Sequence, residues 1–184
     1  MIGSAFQGEM KLPFRKTFVI RELAPQDQPF LREMLYEAAY WRPDGDRPPL
    51  EQGLQRPDLV RILAGWGRTG DVALVAADGH GVRLGAAWLR LWTAEDHSYG
   101  FVDEETPELG IAVKPEFRHQ GVGTSLFMTL LARARQDGFT RVSLSVESAN
   151  PARRLYARFG FRPVRESEHA LTLVADLEPE PESG

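Results

Sequence analysis

The chain has 184 residues, 42% hydrophobic and 26% charged, which is the size and make-up of one globular domain with its own core. It contains no cysteine, and this excludes a cysteine nucleophile, a thiolate metal site and a disulfide scaffold. The net charge of −4 disfavours a nucleic-acid partner, and the sequence has neither an apolar run long enough to cross a bilayer nor a secretory signal. We therefore expect a cytoplasmic protein with no membrane partner.

The two ends of the chain differ from its middle in composition. Residues 1–15 show no periodicity and are predicted to be a flexible segment, in which Met10 is an alternative start. Residues 178–184 are acidic and interrupted by proline, which is typical of a disordered tail. A single domain is expected over residues 16–177.

The first half of this domain begins with a predicted strand at residues 17–23. Pro25 and Asp27 then open a helix whose apolar residues fall at helical spacing. A loop rich in helix-breaking residues occupies positions 40–49, and a second helix is expected over residues 50–64.

Strand patterns dominate the middle of the chain. Two apolar runs, residues 71–77 and 82–92, are joined by Asp-Gly-His-Gly, which predicts a hairpin. Trp88 and Trp92 in the second run are expected to pack in the sheet. Another short strand is predicted at residues 108–113.

A helix with a continuous apolar stripe follows and ends at Gly138. Residues 142–147 alternate as a strand, Asn150 and Pro151 open a further helix that ends near Gly160, and residues 170–177 form a last strand. The element order β-α-α-β-β-β-α-β-α-β indicates a mixed sheet with helices, in the α/β or α+β class.

The first chemical signal lies where the strand at residues 108–113 leads into the long helix. Gly121 and Gly123 stand at the helix start beside Arg118, and free backbone N–H groups there form an anion site suited to a phosphate. The same glycines could instead serve close packing. The segment is neither a Walker loop, because Thr124 replaces the lysine, nor a dinucleotide fingerprint, because Leu126 replaces the third glycine.

The second signal is the segment at residues 150–161. Tyr156 lies about two turns into the predicted helix and Arg153 one turn before it. A phenol at this place can donate a proton to a leaving group in a cleft, although a packed tyrosine would give the same pattern.

Together the two segments resemble the GNAT superfamily of N-acetyltransferases. The acetyl-CoA motif of that family, Arg/Gln-x-x-Gly-x-Gly/Ala, is matched by Arg118, Gly121 and Gly123. Its later segment, Asn-x-x-Ala-x-x-Leu-Tyr-x-x-x-Gly-Phe, is matched by residues 150–161, except that Ala152 stands one place early. The close match covers residues 108–161, and the element order extends the resemblance across residues 17–177.

The resemblance implies the GNAT fold, a mixed and mostly antiparallel sheet of six to seven strands flanked by about four helices, with acetyl-CoA as cofactor. Ile111 and Val113 would offer backbone groups to the pantetheine arm where two central strands splay apart, and Asn150 would also contact the cofactor. The cofactor-binding residues implied by motif position are Ile111, Ala112, Val113, Arg118, His119, Gln120, Gly121, Val122, Gly123, Thr124, Asn150 and Arg153.

Amide formation requires that the amine lose a proton, that the carbonyl oxygen meet a donor and that the thiolate gain a proton. By resemblance Tyr156 protonates the thiolate, and a strand N–H near Val113 can serve the oxygen. Glu108 is the first candidate for the base. Glu147, Glu104, Glu105 and a relayed water are its rivals, and a solvated carboxylate is an equal alternative at position 108.

The acceptor is expected at the loop that begins with Tyr40, Trp41 and Arg42, whose aromatic rings could instead cap the core. A metal site is not expected, because the histidines are too scattered and no His-Glu-x-x-His pattern occurs.

These features favour an N-acetyltransferase that acts by direct transfer in a ternary complex, as a monomer or homodimer. A small primary amine is the expected acceptor. A protein N-terminus or lysine remains open, as does a non-catalytic acyl-CoA-binding sensor.

Overall fold

A computed structural model describes residues 10–11 and 17–177. Apart from Met10–Lys11, the predicted flexible segment 1–15 lies outside the described residues, and so does the predicted tail 178–184.

The described chain is built on one mixed sheet of eight strands in the order β1-β2-β3-β4-β5-β6-β8-β7. The strands are Met10–Lys11 (β1), Thr17–Glu22 (β2), Val72–Asp78 (β3), Arg83–Arg90 (β4), Glu108–Val113 (β5), Arg141–Glu147 (β6), Arg162–Glu166 (β7) and Ala170–Asp176 (β8). Neighbouring strands are antiparallel except β5 and β6, which are parallel. The expected mixed, mostly antiparallel sheet is confirmed.

Helices cover both faces of this sheet. They are Gln28–Ala39 (α1), Leu50–Gly53 (α2), Pro57–Leu63 (α3), Val122–Gln136 (α4) and Arg153–Arg158 (α5). The side chains of β3 alternate, so that Leu74 packs in the cluster beneath α4 and α5, while Val75 packs in the cluster beneath α1 and α3. In the part of the chain that the structure describes, no helix is long and apolar enough to cross a membrane.

The structure corrects the sequence prediction at three elements. The helix expected over residues 50–64 is two helices, α2 and α3, because Pro57 cannot continue the first and instead starts the second. Strand β7 was not predicted, because all its side chains are exposed and show no alternation. The helix expected to open at Asn150 begins at Arg153, after a turn.

The parallel strands β5 and β6 stay together over a short distance only. Their pairing is confined to Glu108 and Ser143, where the Ser143 N–H donates to the Pro107 carbonyl at 3.0 Å. Beyond this point the strands diverge and leave a wedge between the end of β5 and the end of β6. We call this opening the β5–β6 wedge, and it is the feature around which the functional site is built.

Candidate active site

The first part of the site is the start of α4. Gly121 has a φ of 84°, a left-handed conformation that favours glycine, and the first helical bond runs from the Ser125 N–H to its carbonyl at 3.0 Å. The N–H groups of Val122, Gly123 and Thr124 therefore precede the helical ladder and are oriented to bind an anion.

Close packing does not explain the second glycine of the motif. A Cβ atom at Gly123 would stand 3.5 Å from Val113 Cγ2, an ordinary contact. His119, two residues before Gly121, also has a positive φ, 60°, so the loop turns sharply just before the helix. Such a turn directs successive N–H groups to one side.

Arg118 and Gln120 hold this loop in place. The Arg118 guanidinium donates from Nε to the Val113 carbonyl at 3.0 Å and from Nη2 to Glu37 Oε2 at 3.0 Å. Gln120 Nε2 donates to the Glu116 carbonyl at 2.9 Å. Arg118 thus joins the end of β5 to α1, and its charge beside the anion site is shared with Glu37.

The β5–β6 wedge exposes the backbone of alternate residues of β5. The Lys114 N–H donates to Leu84 in β4 at 2.9 Å, so the even-numbered residues of β5 face β4 and the odd-numbered ones face the wedge. The N–H groups of Ile111 and Val113 are therefore directed to the wedge. Ala112 has its backbone directed to β4 and packs in the cluster beneath α1.

A cleft of about 570 Å³ begins at the wedge and extends beneath α1 and α3. Among the predicted site residues, it is lined by Trp41, Glu108, Ile111, Asn150 and Tyr156. The structure thus brings together residues from the motifs and from the loop after α1.

Glu108 lies where the wedge opens. Its Oε1 accepts a hydrogen bond from the Gly100 N–H at 3.0 Å, and its Oε2 is buried with no hydrogen-bond partner among the described residues. Burial raises the pKa of the Glu108 carboxyl to about 7, while the Gly100 N–H acts in the opposite direction. The Ser98 hydroxyl and the Trp92 indole N–H also lower this pKa, although neither makes a well-oriented hydrogen bond to Oε2. A Cβ atom at Gly100 would stand 2.6 Å from Glu108 Cδ, so a larger residue there would displace the Glu108 carboxyl.

Tyr156 faces the same cleft from α5. Its ring packs against Phe127 and Phe161, with centroid separations of 5.5 Å and 6.0 Å, and the residue is 8% exposed. Burial raises the pKa of its phenol to about 12. Tyr156 is therefore a neutral proton donor at neutral pH, because its hydroxyl keeps its proton.

The other carboxylates are less suited to act as a base. Glu147 lines the cleft, but its Oε2 accepts from Arg42 Nη2 at 2.5 Å and from Arg42 Nε at 3.1 Å. Glu104 and Glu105 are exposed in the loop before β5, and Glu104 accepts from the Ala94 N–H at 3.0 Å. Glu108 is the carboxylate in the cleft with a buried, unpartnered oxygen.

The residues expected to bind the acceptor fall in different places. Trp41 lines the cleft with a buried Nε1 that has no partner among the described residues, and Arg42 reaches the cleft through Glu147. Tyr40 turns away from it, because its hydroxyl donates to the Gly53 carbonyl at 3.4 Å and its ring packs on Tyr36.

Asn150 lies in the turn before α5, and Arg153 is the first residue of that helix. Asn150 lines the cleft while its Oδ1 accepts from the Ala152 N–H at 2.9 Å. Arg153 is exposed and donates from Nη1 to the Ser148 carbonyl at 2.7 Å, beside the turn that precedes α5.

Trp88 and Trp92, for which the sequence predicts packing in the sheet, also contribute to the cleft. Both are buried, with 4% exposure, and both line the cleft. A Cβ atom at Gly110 would stand 2.3 Å from Trp88 Cε2, so this glycine makes room for the indole ring against β5. Trp88 and Gly110 are partners in the β4–β5 register, and only that pairing reveals the tryptophan as a cleft residue.

We expect the Gly121→Val substitution to weaken acetyl-CoA binding by more than about tenfold, because the left-handed conformation and the free N–H groups are both disturbed. Calorimetric titration measures this effect. The matched control is Gly138→Val, at the other end of α4, where φ is 87° and no atom lies within 4 Å of the added Cβ. Equal loss of affinity in both variants would contradict an anion site at Gly121.

The free N–H groups of α4, the β5–β6 wedge and the cleft lie together at the segments in which the sequence resembles the GNAT superfamily. Residues 31–161 match the acetyltransferase (GNAT) family, and the chain belongs to that family. The cofactor of this family is acetyl-CoA, which carries a pyrophosphate and a pantetheine arm.

The chain is also similar to individual proteins that are known. A segment of 54 residues is 41% identical to a Bacillus subtilis (strain 168) protein named as a ribosomal protein bS18-alanine N-acetyltransferase, over 29% of this chain and 36% of that protein. The PaiA N-acetyltransferase of Thermoplasma acidophilum, solved with coenzyme A, is 18% identical with a TM-score of 0.65, covering 86% of this chain and 98% of the other. The structure of yncA from Salmonella typhimurium with acetyl-CoA is 20% identical with a TM-score of 0.61, covering 91% and 99%.

Proposed function

We propose that the protein transfers the acetyl group of acetyl-CoA to the primary amine of a small molecule by direct attack in a ternary complex. The observation that carries this proposal is the position of Glu108. Its buried, unpartnered Oε2 lies in the cleft that the β5–β6 wedge enters. Bound acetyl-CoA would supply a thioester, and the residues of the chain would bind it, orient it and move protons.

Glu108 is proposed as the base. A carboxyl with a pKa of about 7 is about half ionised at pH 7, and its carboxylate is more basic than an ordinary one, so it is suited to take a proton from an ammonium group. Its Oε1 is held by the Gly100 N–H, which leaves Oε2 to accept the proton.

Tyr156 is proposed as the acid, because its neutral phenol lies in the cleft on the wall formed by α5. The wedge-facing N–H groups of Ile111 and Val113 are proposed to donate to the pantetheine arm and to the carbonyl oxygen. The absence of cysteine excludes a route through an acyl-cysteine enzyme, which supports direct transfer.

A protein α-amino group is the second candidate acceptor. It is favoured by the 41% identity to the protein named as a ribosomal protein bS18-alanine N-acetyltransferase, although the match spans only 36% of that protein. A small molecule is favoured by the cleft, because the indole rings of Trp41, Trp88 and Trp92 contribute apolar surface to its lining.

Calorimetric titration with acetyl-CoA, run beside free CoA, tests the proposal first. We expect saturable one-site binding, followed by CoA release when small amines are added. Release with alanine-initiated peptides and not with small amines would establish the second candidate instead. Binding without release in either set would indicate a non-catalytic acyl-CoA-binding protein, and a folded protein without binding would overturn the proposal.

A further inference from the structure

A second cavity adjoins the active-site cleft. It has a volume of about 490 Å³ and shares part of its lining with the cleft: Asp58, Ser98, Tyr99, Ser145, Ser167 and Ala170. We call it the side cavity. The two spaces therefore adjoin at these residues.

The floor of the side cavity is a polar row across three strands. Ser145 of β6 pairs with Thr172 of β8, which pairs in turn with Arg165 of β7, so the three side chains share one face of the sheet. The opposite face of these strands carries Leu144 and Leu171 and is covered by the main core. The polar face is instead roofed by the loop between β4 and β5, to which Thr172 Oγ1 donates at the Tyr99 carbonyl, 3.1 Å away.

Two guanidinium groups line the side cavity. Arg61 of α3 donates to the His97 carbonyl at 2.6 Å and lies 3.3 Å from Asp96. Arg165 donates from Nη1 to the Phe101 carbonyl at 3.3 Å, and no carboxylate within the described ranges lies at ion-pair distance from it. These bonds attach both guanidinium groups to the same loop and leave further N–H donors free, since each group carries five.

The carboxylate that lines the side cavity does not offset this charge. Asp58 accepts from Arg56 Nε at 3.1 Å and from Arg56 Nη2 at 2.6 Å, so it is already paired. The remaining polar lining consists mainly of hydroxyl groups, with the His97 ring beside the Ser98 carbonyl. Thr172 and Ser167 already donate to the Tyr99 and Ala170 carbonyls. The Arg165 guanidinium, which has no carboxylate partner among the described residues, is therefore the group that favours an anion over a cation in this cavity.

We propose that the side cavity binds a carboxylate of the acceptor while the acceptor's amine lies at Glu108. This inference rests on the proposed function and narrows it, because the acceptor is then an amino compound with an acidic group rather than a simple amine or a polyamine. Arg165 supplies the main charge-assisted contact, and Arg61 supports it from α3.

A matched set of acceptors tests this preference through CoA release. The probes are γ-aminobutyrate, its uncharged amide and putrescine, with the same three compounds lengthened by one and two methylene groups. We expect kcat/KM to favour the carboxylates by about tenfold or more at one of these lengths. Equal rates for the three compounds at every length, or a preference for the amides or diamines, would overturn the inference and leave the acetyltransferase proposal intact.

Substitutions test whether the preference for carboxylate acceptors depends on Arg165. Arg165→Gln should reduce it about tenfold and leave the amides unchanged, because only the anionic contact is lost. Arg162→Gln is the control, since Arg162 lies on the same strand but pairs with Asp176 on the open surface. A uniform loss for all acceptors in Arg165→Gln would contradict a carboxylate contact. Peptides that begin with Ala-Asp or Ala-Asn test the source of the carboxylate. A preference for Ala-Asp would indicate an acidic side chain of a protein acceptor, whereas a preference limited to the γ-aminobutyrate series would indicate a free amino acid.

A binding measurement covers the case in which none of the probes is acetylated. The CoA-saturated protein is heated with each γ-aminobutyrate homologue. A rise in Tm in the wild type and in Arg162→Gln that disappears in Arg165→Gln supports the side cavity as the carboxylate site. No rise in the wild type overturns the inference, whereas failure to bind acetyl-CoA would overturn the proposed function itself.

Discussion

The Tyr156→Phe substitution is expected to lower kcat about a hundredfold while the Kd for acetyl-CoA stays within about twofold of the wild type. The ring would keep its packing against Phe127 and Phe161, and only the hydroxyl that faces the cleft would be lost. Because the phenol is proposed to protonate the leaving thiolate, its loss should slow the chemical step and not the binding step. Steady-state kinetics and calorimetry together separate the two.

Tyr36→Phe is the matched control for this experiment. It removes a hydroxyl that donates to the Pro48 carbonyl at 2.6 Å, away from the cleft lining, so kcat should be almost unchanged. If Tyr156→Phe turned over at the wild-type rate, the phenol would have no part in proton transfer. If it lost acetyl-CoA affinity instead, Tyr156 would be a binding residue.

Glu108→Gln is expected to have the largest effect, a loss of about a thousandfold in kcat/KM at pH 8, because the amide cannot accept the proton of the amine. In the wild type, kcat/KM should rise with pH through about 7 as the carboxyl ionises. The residual activity of the variant should lack this rise. Glu51→Gln, an exposed carboxylate on α2 paired with Arg32, should keep the full pH profile.

The same carboxyl links folding to pH with a defined sign. Its pKa is raised from 4.5 to about 7 by burial, so the folded protein holds this proton more tightly than the unfolded chain does. Its contribution to the free energy of unfolding is therefore complete below pH 4.5 and is lost as the pH rises through 7. Relative to Glu108→Gln, the wild type should lose about 2–3 kcal/mol between pH 5 and pH 8, measured by denaturant unfolding. The kinetic prediction has its own test. If kcat/KM of the wild type did not change between pH 6 and pH 8, Glu108 would not be the base.

The sequence predicted the elements whose patterns are local. Two apolar runs and the Asp-Gly-His-Gly turn between them identified the hairpin of β3 and β4, whose strands are buried on both faces. The apolar stripe identified α4, because this helix buries one face against the core. Strand β7 was missed because it is an edge strand whose side chains are all exposed, including Arg165 at the side cavity. Its pairing with β8 therefore produces no alternation in its hydropathy.

The site was predictable where motif and backbone coincide and less so where side chains from distant segments meet. Gly121 adopts the left-handed conformation that its place before α4 requires. Arg118, expected to place a charge beside the anion, donates hydrogen bonds to the Val113 carbonyl and to Glu37. Glu37 lies 81 positions away in the sequence, so spacing cannot reveal this contact. The side cavity likewise depends on the register of β6, β8 and β7, which no local pattern specifies.

The β5–β6 wedge has a mechanical consequence. Since hydrogen bonding between these strands is confined to Glu108 and Ser143, the sheet consists of two leaves, β1 to β5 and β6 to β8, joined at one end. The N–H groups of Ile111 and Val113 belong to a ladder that the protein leaves incomplete. A ligand that accepts hydrogen bonds from these two N–H groups would occupy the position of a missing strand segment between the two leaves. The one pairing that joins the two leaves is made by Glu108, the proposed base, so this residue lies where the leaves meet.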